Sequence, residues 1–183
     1  LRPTLLPAVP RFYERVASQV QAEIDASSPF RSALAGRALA TGQRAAALRR
    51  AGRRPGPLLR AQLALADRVV WSRVRDRFGG QLRFGVSGGA PLPPAVAELF
   101  DVIGIAVLEG YGLSEATCAS HFNRPGRARL GTVGPPLPGV GCRLAGDGEI
   151  LLAGETVFAG YLDDAEATAA VLGDDGWLRT GDV

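Results

Sequence analysis

The 183-residue chain has no lysine, no methionine, one histidine (His121) and two cysteines (Cys118 and Cys142). Each scarcity removes a kind of chemistry. Without lysine, neither a Schiff base nor a lysine-held phosphate can come from these residues. One histidine and two separated cysteines make neither a zinc cluster nor a disulfide framework, so both cysteines are expected to be buried thiols. No apolar run approaches the roughly 20 residues that span a bilayer, and no basic stretch leads into an apolar signal segment. The 24 glycines and 13 prolines follow no fixed period, which excludes collagen-like and solenoid order. A soluble cytoplasmic protein is the expectation.

Of the residues present, 46% are hydrophobic, enough to bury a core in one domain or a slice of a larger one. The chain starts at Leu1 rather than Met and stops at Val183, just after what reads as a loop, so both ends are expected to be cuts. All 21 cationic side chains are arginine, a mark of base composition more than of function. Their distribution is uneven. Residues 1–83 carry 16 arginines against five acidic residues, a net +11, and residues 84–183 carry five arginines against 13 acids, a net −8. Arg49, Arg50, Arg53 and Arg54 beside Pro55-Gly56-Pro57 resemble an anion-binding patch, but no aromatic residues interleave with them to stack on bases. The reading favoured is a solvated turn between helices, with no nucleic-acid partner and, as the open alternative, peripheral contact with the inner face of a membrane.

Periodicity sets the elements. Val9, Phe12, Tyr13, Val16, Val20 and Ile24 recur at three- and four-residue steps, predicting an amphipathic helix over 10–24 with Pro10 in its first turn. Residues 32–50 are rich in Ala, Leu and Arg. A third helical stretch over 58–78 ends at Gly79-Gly80. The period then changes, giving a strand over 82–86, a helix over 94–103 and a strand over 105–108, an order that implies parallel pairing. Further on, 141–144 and 149–152 flank Ala145-Gly146-Asp147-Gly148 as a hairpin, and Asp163 or Asp164 caps a helix over 165–172. The expected organisation is α/β: a mostly helical segment (1–80), a parallel β/α portion with nucleotide loops (81–130) and a small β-rich subdomain (131–183).

Three loops set glycine beside groups able to hold a nucleotide. Ser87-Gly88-Gly89-Ala90-Pro91 leaves a strand and enters a helix, where open α/β sheets bind ligands. Glu109-Gly110-Tyr111-Gly112-Leu113-Ser114-Glu115 offers a ring for stacking, a hydroxyl for phosphate and a hard carboxylate of the kind Mg²⁺ prefers. The competing structural reading makes Tyr111 a core residue and Glu115 the favourably charged start of a helix. Trp177-Leu178-Arg179-Thr180-Gly181-Asp182 ends in a carboxylate able to accept from two vicinal hydroxyls.

In this order the loops resemble the adenylate-forming superfamily, and within it the long-chain fatty acyl-CoA synthetases. The resemblance runs over nearly the whole chain. It rests on Val9-Pro10-Arg11-Phe12-Tyr13-Glu14, the helical stretch to Phe78, Ser87-Gly88-Gly89-Ala90-Pro91-Leu92, Tyr111-Gly112-Leu113-Ser114-Glu115, Gly148-Glu149-Ile150, Gly160-Tyr161 and Thr180-Gly181-Asp182. It implies part of a large N-terminal domain in which Gly88, Gly89, Ala90 and Pro91 line the adenine pocket and Tyr111, flanked by Gly112, stacks on the base. Ser114 would touch the α-phosphate, Glu115 hold Mg²⁺, Asp182 grip the ribose, and Gly110 border the acyl tunnel. Glu149 is read as a strand residue outside the site, and His121 as a surface or hydrogen-bonding residue.

The implied substrates are a long-chain fatty acid, ATP and coenzyme A. The carboxylate would attack the α-phosphate to give an acyl-adenylate, and the coenzyme A thiol would then displace AMP. The resemblance also implies a lysine-bearing phosphate loop upstream and a lysine-bearing C-terminal domain downstream, so the piece alone is expected to be inactive. Two alternatives stand beside this reading: an acid-adenylating ligase that delivers to a carrier protein, and a non-catalytic nucleotide-binding remnant.

Overall fold

A computed structural model describes residues 2–183, which divide into two compact units that meet in the chain between Leu108 and Glu109. The first begins with a short strand β1 (Leu5–Ala8), followed by α1 (Pro10–Asp25), α2 (Pro29–Arg50) and α3 (Pro57–Ala66). A π-helical turn at Asp67–Trp71 runs into α4 (Ser72–Arg77), and then come β2 (Phe84–Ser87), α5 (Pro94–Ile103) and β3 (Ala106–Tyr111), which crosses into the second unit. Each of the helices α1, α2, α3 and α5 carries proline in its first turn, where the missing N–H costs nothing.

The α/β class and the helical opening agree with the sequence pattern. Strand β1 does not appear in that pattern, because four residues with Pro7 among them give too short a signal. It nevertheless supplies a parallel partner for β2, in the register Leu5 to Phe84 through Ala8 to Ser87, while β3 is the other neighbour of β2. Helices α1 to α4 thus form the crossover that parallel strands require.

Tyr13 fastens α1 to both strands. Its ring is fully buried, and its hydroxyl donates to Leu6 O at 2.7 Å and lies 3.1 Å from Val86 O. Burial pushes this phenol up to about 12, so it stays a donor at any ordinary pH. Gly85 is required opposite it, since a Cβ there would sit 2.5 Å from the hydroxyl. Phe100 of α5 meets the same ring edge-on at 5.3 Å.

Helix α2 packs through small residues: Ala35, Ala38, Ala45 and Ala46 are buried, and a Cβ on Gly42 would fall 2.4 Å from Val102 of α5. At its C-terminal end Arg49 pairs with Asp101 and Arg50 with Glu98, both on α5. Half of the arginine run is therefore bound into a helix–helix contact, leaving Arg53 and Arg54 in the exposed turn.

In the second unit, β3 pairs antiparallel with β4 (His121–Phe122). A three-stranded antiparallel sheet follows in the order β5 (Gly141–Leu144), β6 (Ile150–Ala153), β7 (Leu178–Arg179), with α6 (Ala165–Val171) between β6 and β7 in the chain. The expected hairpin is present, turned by Gly148 at φ +93°. Asp164, not Asp163, caps α6 by accepting from Ala167 N at 2.8 Å. Ala116, Val140, Leu152 and Leu178 form the buried centre, with Tyr111, Leu113 and Phe158 packed on it.

Two expectations need correction. Both cysteines are exposed, not buried. Cys118 lies in a tight turn at φ +78°, and Cys142 lies on β5, at the edge of the three-stranded sheet. His121 is buried rather than at the surface, but it is hydrogen-bonded as expected, with Ser120 Oγ 3.0 Å from Nδ1.

Candidate functional site

The loop from Gly110 to Glu115 is built around two glycines that have steric reasons of their own. A Cβ on Gly112 would lie 1.6 Å from Cys118 O, because the chain folds back there through Thr117 and Cys118, both at positive φ. A Cβ on Gly110 would lie 2.8 Å from the Phe122 ring across the β3–β4 pair. The turn presents Ser114 and Glu115 toward solvent on a single 3₁₀ turn, Ser114–Ala116, while Ala116 beneath them is fully buried. Glu115 is the middle residue of this one-turn helix, which Ser114 opens.

The Thr180-Gly181-Asp182 loop is tied to the start of β6. Ile150 N donates to Asp182 O at 2.8 Å, and Thr180 Oγ1 donates to Ile150 O at 2.8 Å. Gly181, at φ +72°, donates its N–H to Glu149 Oε1 at 2.9 Å. Glu149, which precedes β6, therefore shapes this loop. Its alternating neighbours in the hairpin gave it the look of an ordinary strand residue.

The two loops meet through side chains. The Tyr111 hydroxyl donates to Asp182 Oδ2 at 2.7 Å across 71 residues of sequence. Tyr111 is pushed up to about 12, first by burial, with the neighbouring Asp182 charge adding to the shift, so the phenol remains the donor. The ring is half-buried against the core and fixed at both ends. One tyrosine here joins the core reading to the ligand reading: its inner edge packs and its outer edge orients a carboxylate.

Glu115 has a partner that sequence reasoning did not assign. Tyr161 donates its hydroxyl to Glu115 Oε1 at 2.7 Å. That bond, and one from the residue's own backbone N–H, hold the Glu115 carboxyl below its ordinary value, so it is ionised at neutral pH. A solvent-facing, ionised carboxylate is the donor Mg²⁺ uses when it binds through one protein ligand, waters and substrate phosphates. Among the described residues there is no group of three His, Cys, Asp or Glu side chains that could hold a metal alone. A cation at Glu115 would therefore draw its remaining oxygens from a substrate and water, and the residues fit Mg²⁺ in that form.

The Ser87-Gly88-Gly89-Ala90-Pro91 loop belongs to the first unit. Gly89 adopts φ +84° with open space where a Cβ would go, and Gly88 is half-buried. Ser87, at the end of β2, is 1% exposed, and its Oγ has no hydrogen-bond partner among the described residues. A buried hydroxyl left unsatisfied costs about 1–3 kcal/mol.

A family model described as AMP-binding enzyme matches residues 1–162. FadD15 of Mycobacterium tuberculosis, a long-chain-fatty-acid–CoA ligase, is 38% identical over 187 residues, covering 100% of this chain and 30% of that protein. Long-chain-fatty-acid–CoA ligase 5 of Rattus norvegicus is 34% identical over 198 residues, covering 100% of this chain and 27% of that protein. A solved malonyl-CoA ligase in a ternary product complex with methylmalonyl-CoA and AMP superposes with a TM-score of 0.60 at 30% identity, over 97% of this chain and 30% of that one. The chain thus spans less than a third of the length of the curated relatives it matches.

Proposed function

The chain belongs to the AMP-binding enzyme family, and from that membership we propose that it works within a longer protein that activates a long-chain fatty acid with ATP and transfers it to coenzyme A. The observation that supports this best is the Tyr111–Asp182 bond, which joins the two loops with nucleotide-binding character in one unit. Similarity to named long-chain ligases over the whole chain supports the choice of acid.

The proposed reaction has two steps. The fatty carboxylate attacks the α-phosphorus in line, and diphosphate leaves as the acyl-adenylate forms. The coenzyme A thiol then attacks the acyl carbonyl, and AMP leaves with the electron pair of the broken C–O bond. Asp182 takes the ribose hydroxyls. Its carboxylate has about four lone-pair sites, of which Tyr111 uses one, so room remains for two further donors. Tyr111 holds that carboxylate in place and offers its ring to the adenine, while Gly112 lets the loop fold closely behind it. Gly110 would border the acyl channel, as the resemblance implies. Ser114 donates to the α-phosphate. Glu115 holds Mg²⁺, which when bound offsets the negative charge of the triphosphate.

The test is acid-dependent exchange of radiolabelled diphosphate into ATP, followed by thioester formation, on the longer protein. Glu115→Ala is expected to lower the exchange by orders of magnitude with the fold intact. Exchange that responds to long-chain acids, with thioester appearing on free coenzyme A, supports the proposal. Exchange with aryl acids only, or transfer only to a carrier protein, overturns the choice of acid or acceptor. No exchange with any acid would make the chain a nucleotide-binding remnant.

A further inference from the structure

Tyr161 stands between the Glu115 loop and α6, and its surroundings fix it with more precision than a solvent-facing ring needs. The segment before it is laced to the Glu115 loop: Phe158 N donates to Glu115 O at 2.8 Å, and Thr117 Oγ1 donates to Thr156 O at 2.6 Å. Behind it, Tyr161 N donates to Thr168 Oγ1 at 2.9 Å, and that hydroxyl donates to Asp164 O at 2.7 Å on the capped first turn of α6. Gly160 adopts φ +143°, where any Cβ would lie 2.7 and 2.8 Å from Thr168 side-chain atoms, so only glycine lets the chain pass this hydroxyl. The Phe158 ring then meets the Tyr161 ring edge-on at 4.9 Å. Backbone, helix and ring together aim the phenol at Glu115 Oε1.

We infer that Tyr161 is a positioning residue that holds the Glu115 carboxylate in the orientation in which it receives a divalent cation, with Thr168 and α6 as its support. The inference rests on the proposed metal role of Glu115. Three features of the chemistry favour a phenol in this position. One hydrogen bond to Oε1 restrains the soft terminal torsion of a glutamate, which is broad when left to itself. The phenol uses one of the carboxylate's lone-pair sites and leaves the others open. It is also neutral, so the carboxylate keeps its full charge for a cation, whereas an arginine or lysine there would neutralise it.

Mn²⁺ serves as the probe, because its free and bound forms are separated by electron paramagnetic resonance. The longer protein, loaded with a non-hydrolysable ATP analogue, is titrated as wild type, Tyr161→Phe and Glu115→Ala. Tyr161→Phe deletes one exposed hydroxyl and leaves both rings in place, so its melting temperature and AMP affinity are expected to match wild type. Its Mn²⁺ affinity is expected to fall about tenfold, the lower end of the range for losing a residue that orients a metal ligand. The half-saturating Mg²⁺ in the exchange assay should rise by the same factor, while KM for the fatty acid stays unchanged. If Tyr161→Phe binds Mn²⁺ as tightly as wild type while Glu115→Ala does not, the positioning role is overturned and the metal assignment survives. If Glu115→Ala also binds Mn²⁺ as wild type does, both are overturned.

Discussion

At the scale of single residues, much of the second unit is fixed by where a side chain has no room or no water. Gly112→Ala would place a methyl against the Cys118 carbonyl, which is backbone and has nowhere to move, whereas Gly146 has open space around its missing Cβ. Gly112→Ala is expected to cost on the order of 3 kcal/mol or more in thermal melting, and Gly146→Ala close to nothing. His121 gives the pH dependence. Burial holds it below the ordinary 6.5, so as pH falls through that value the unfolded chain takes up a proton that the folded chain refuses. Stability should therefore decline as pH drops from about 7 toward the folded-state value and level off below it, and His121→Gln should remove that part of the slope in denaturant midpoints. The sequence offered Tyr111 as a ring for adenine and Asp182 as a carboxylate for ribose, and the resemblance set Gly112 beside them. It did not reveal that Tyr111 and Asp182 bond to each other, nor that Tyr161 reaches Glu115, because those pairs lie 71 and 46 positions apart and no local pattern carries such contacts.

The elements follow the physics of capping and packing. Helix α6 is one of the shorter helices and depends on its ends, so Asp164→Ala, which removes the acceptor for Ala167 N, is expected to cost about 1 kcal/mol. Loosening α6 would also loosen Tyr161, and the same variant should weaken Mn²⁺ binding in the direction of Tyr161→Phe. The Arg49–Asp101 and Arg50–Glu98 pairs are about half exposed, and replacing either arginine by alanine should cost less than about 1 kcal/mol in urea denaturation. The close contact of α2 with α5 depends instead on Gly42, where a larger residue would collide with Val102. Helix α1 was legible because its apolar stripe has the helical period, and α5 because Pro94 and Gly104 bound it. Helix α2 was legible from composition alone, since Ala, Leu and Arg surround it without a clear stripe. The π-helical turn at Asp67–Trp71 was not legible, since its residues continue the apolar pattern of α3.

For the whole molecule, the family and the α/β class could be read from the motifs, while the details of pairing could not. The parallel partner of β2 turned out to include β1, 79 positions earlier in register, a distance over which strand pairing leaves no trace in sequence. The chain covers less than a third of its curated relatives and supplies no lysine, so as an isolated 183-residue piece it is expected to form no acyl-CoA from fatty acid, ATP and coenzyme A. Binding of AMP by that piece, followed by calorimetry, should be weak and should weaken further in Asp182→Ala. The most direct measurement of the central claim is fatty-acid-dependent ATP–diphosphate exchange by the longer protein, with Glu115→Ala and Asp182→Ala beside wild type. The account predicts exchange in wild type that requires a long-chain acid and falls by orders of magnitude in both variants. Wild-type exchange rates in either variant, or no exchange with any fatty acid, would contradict it.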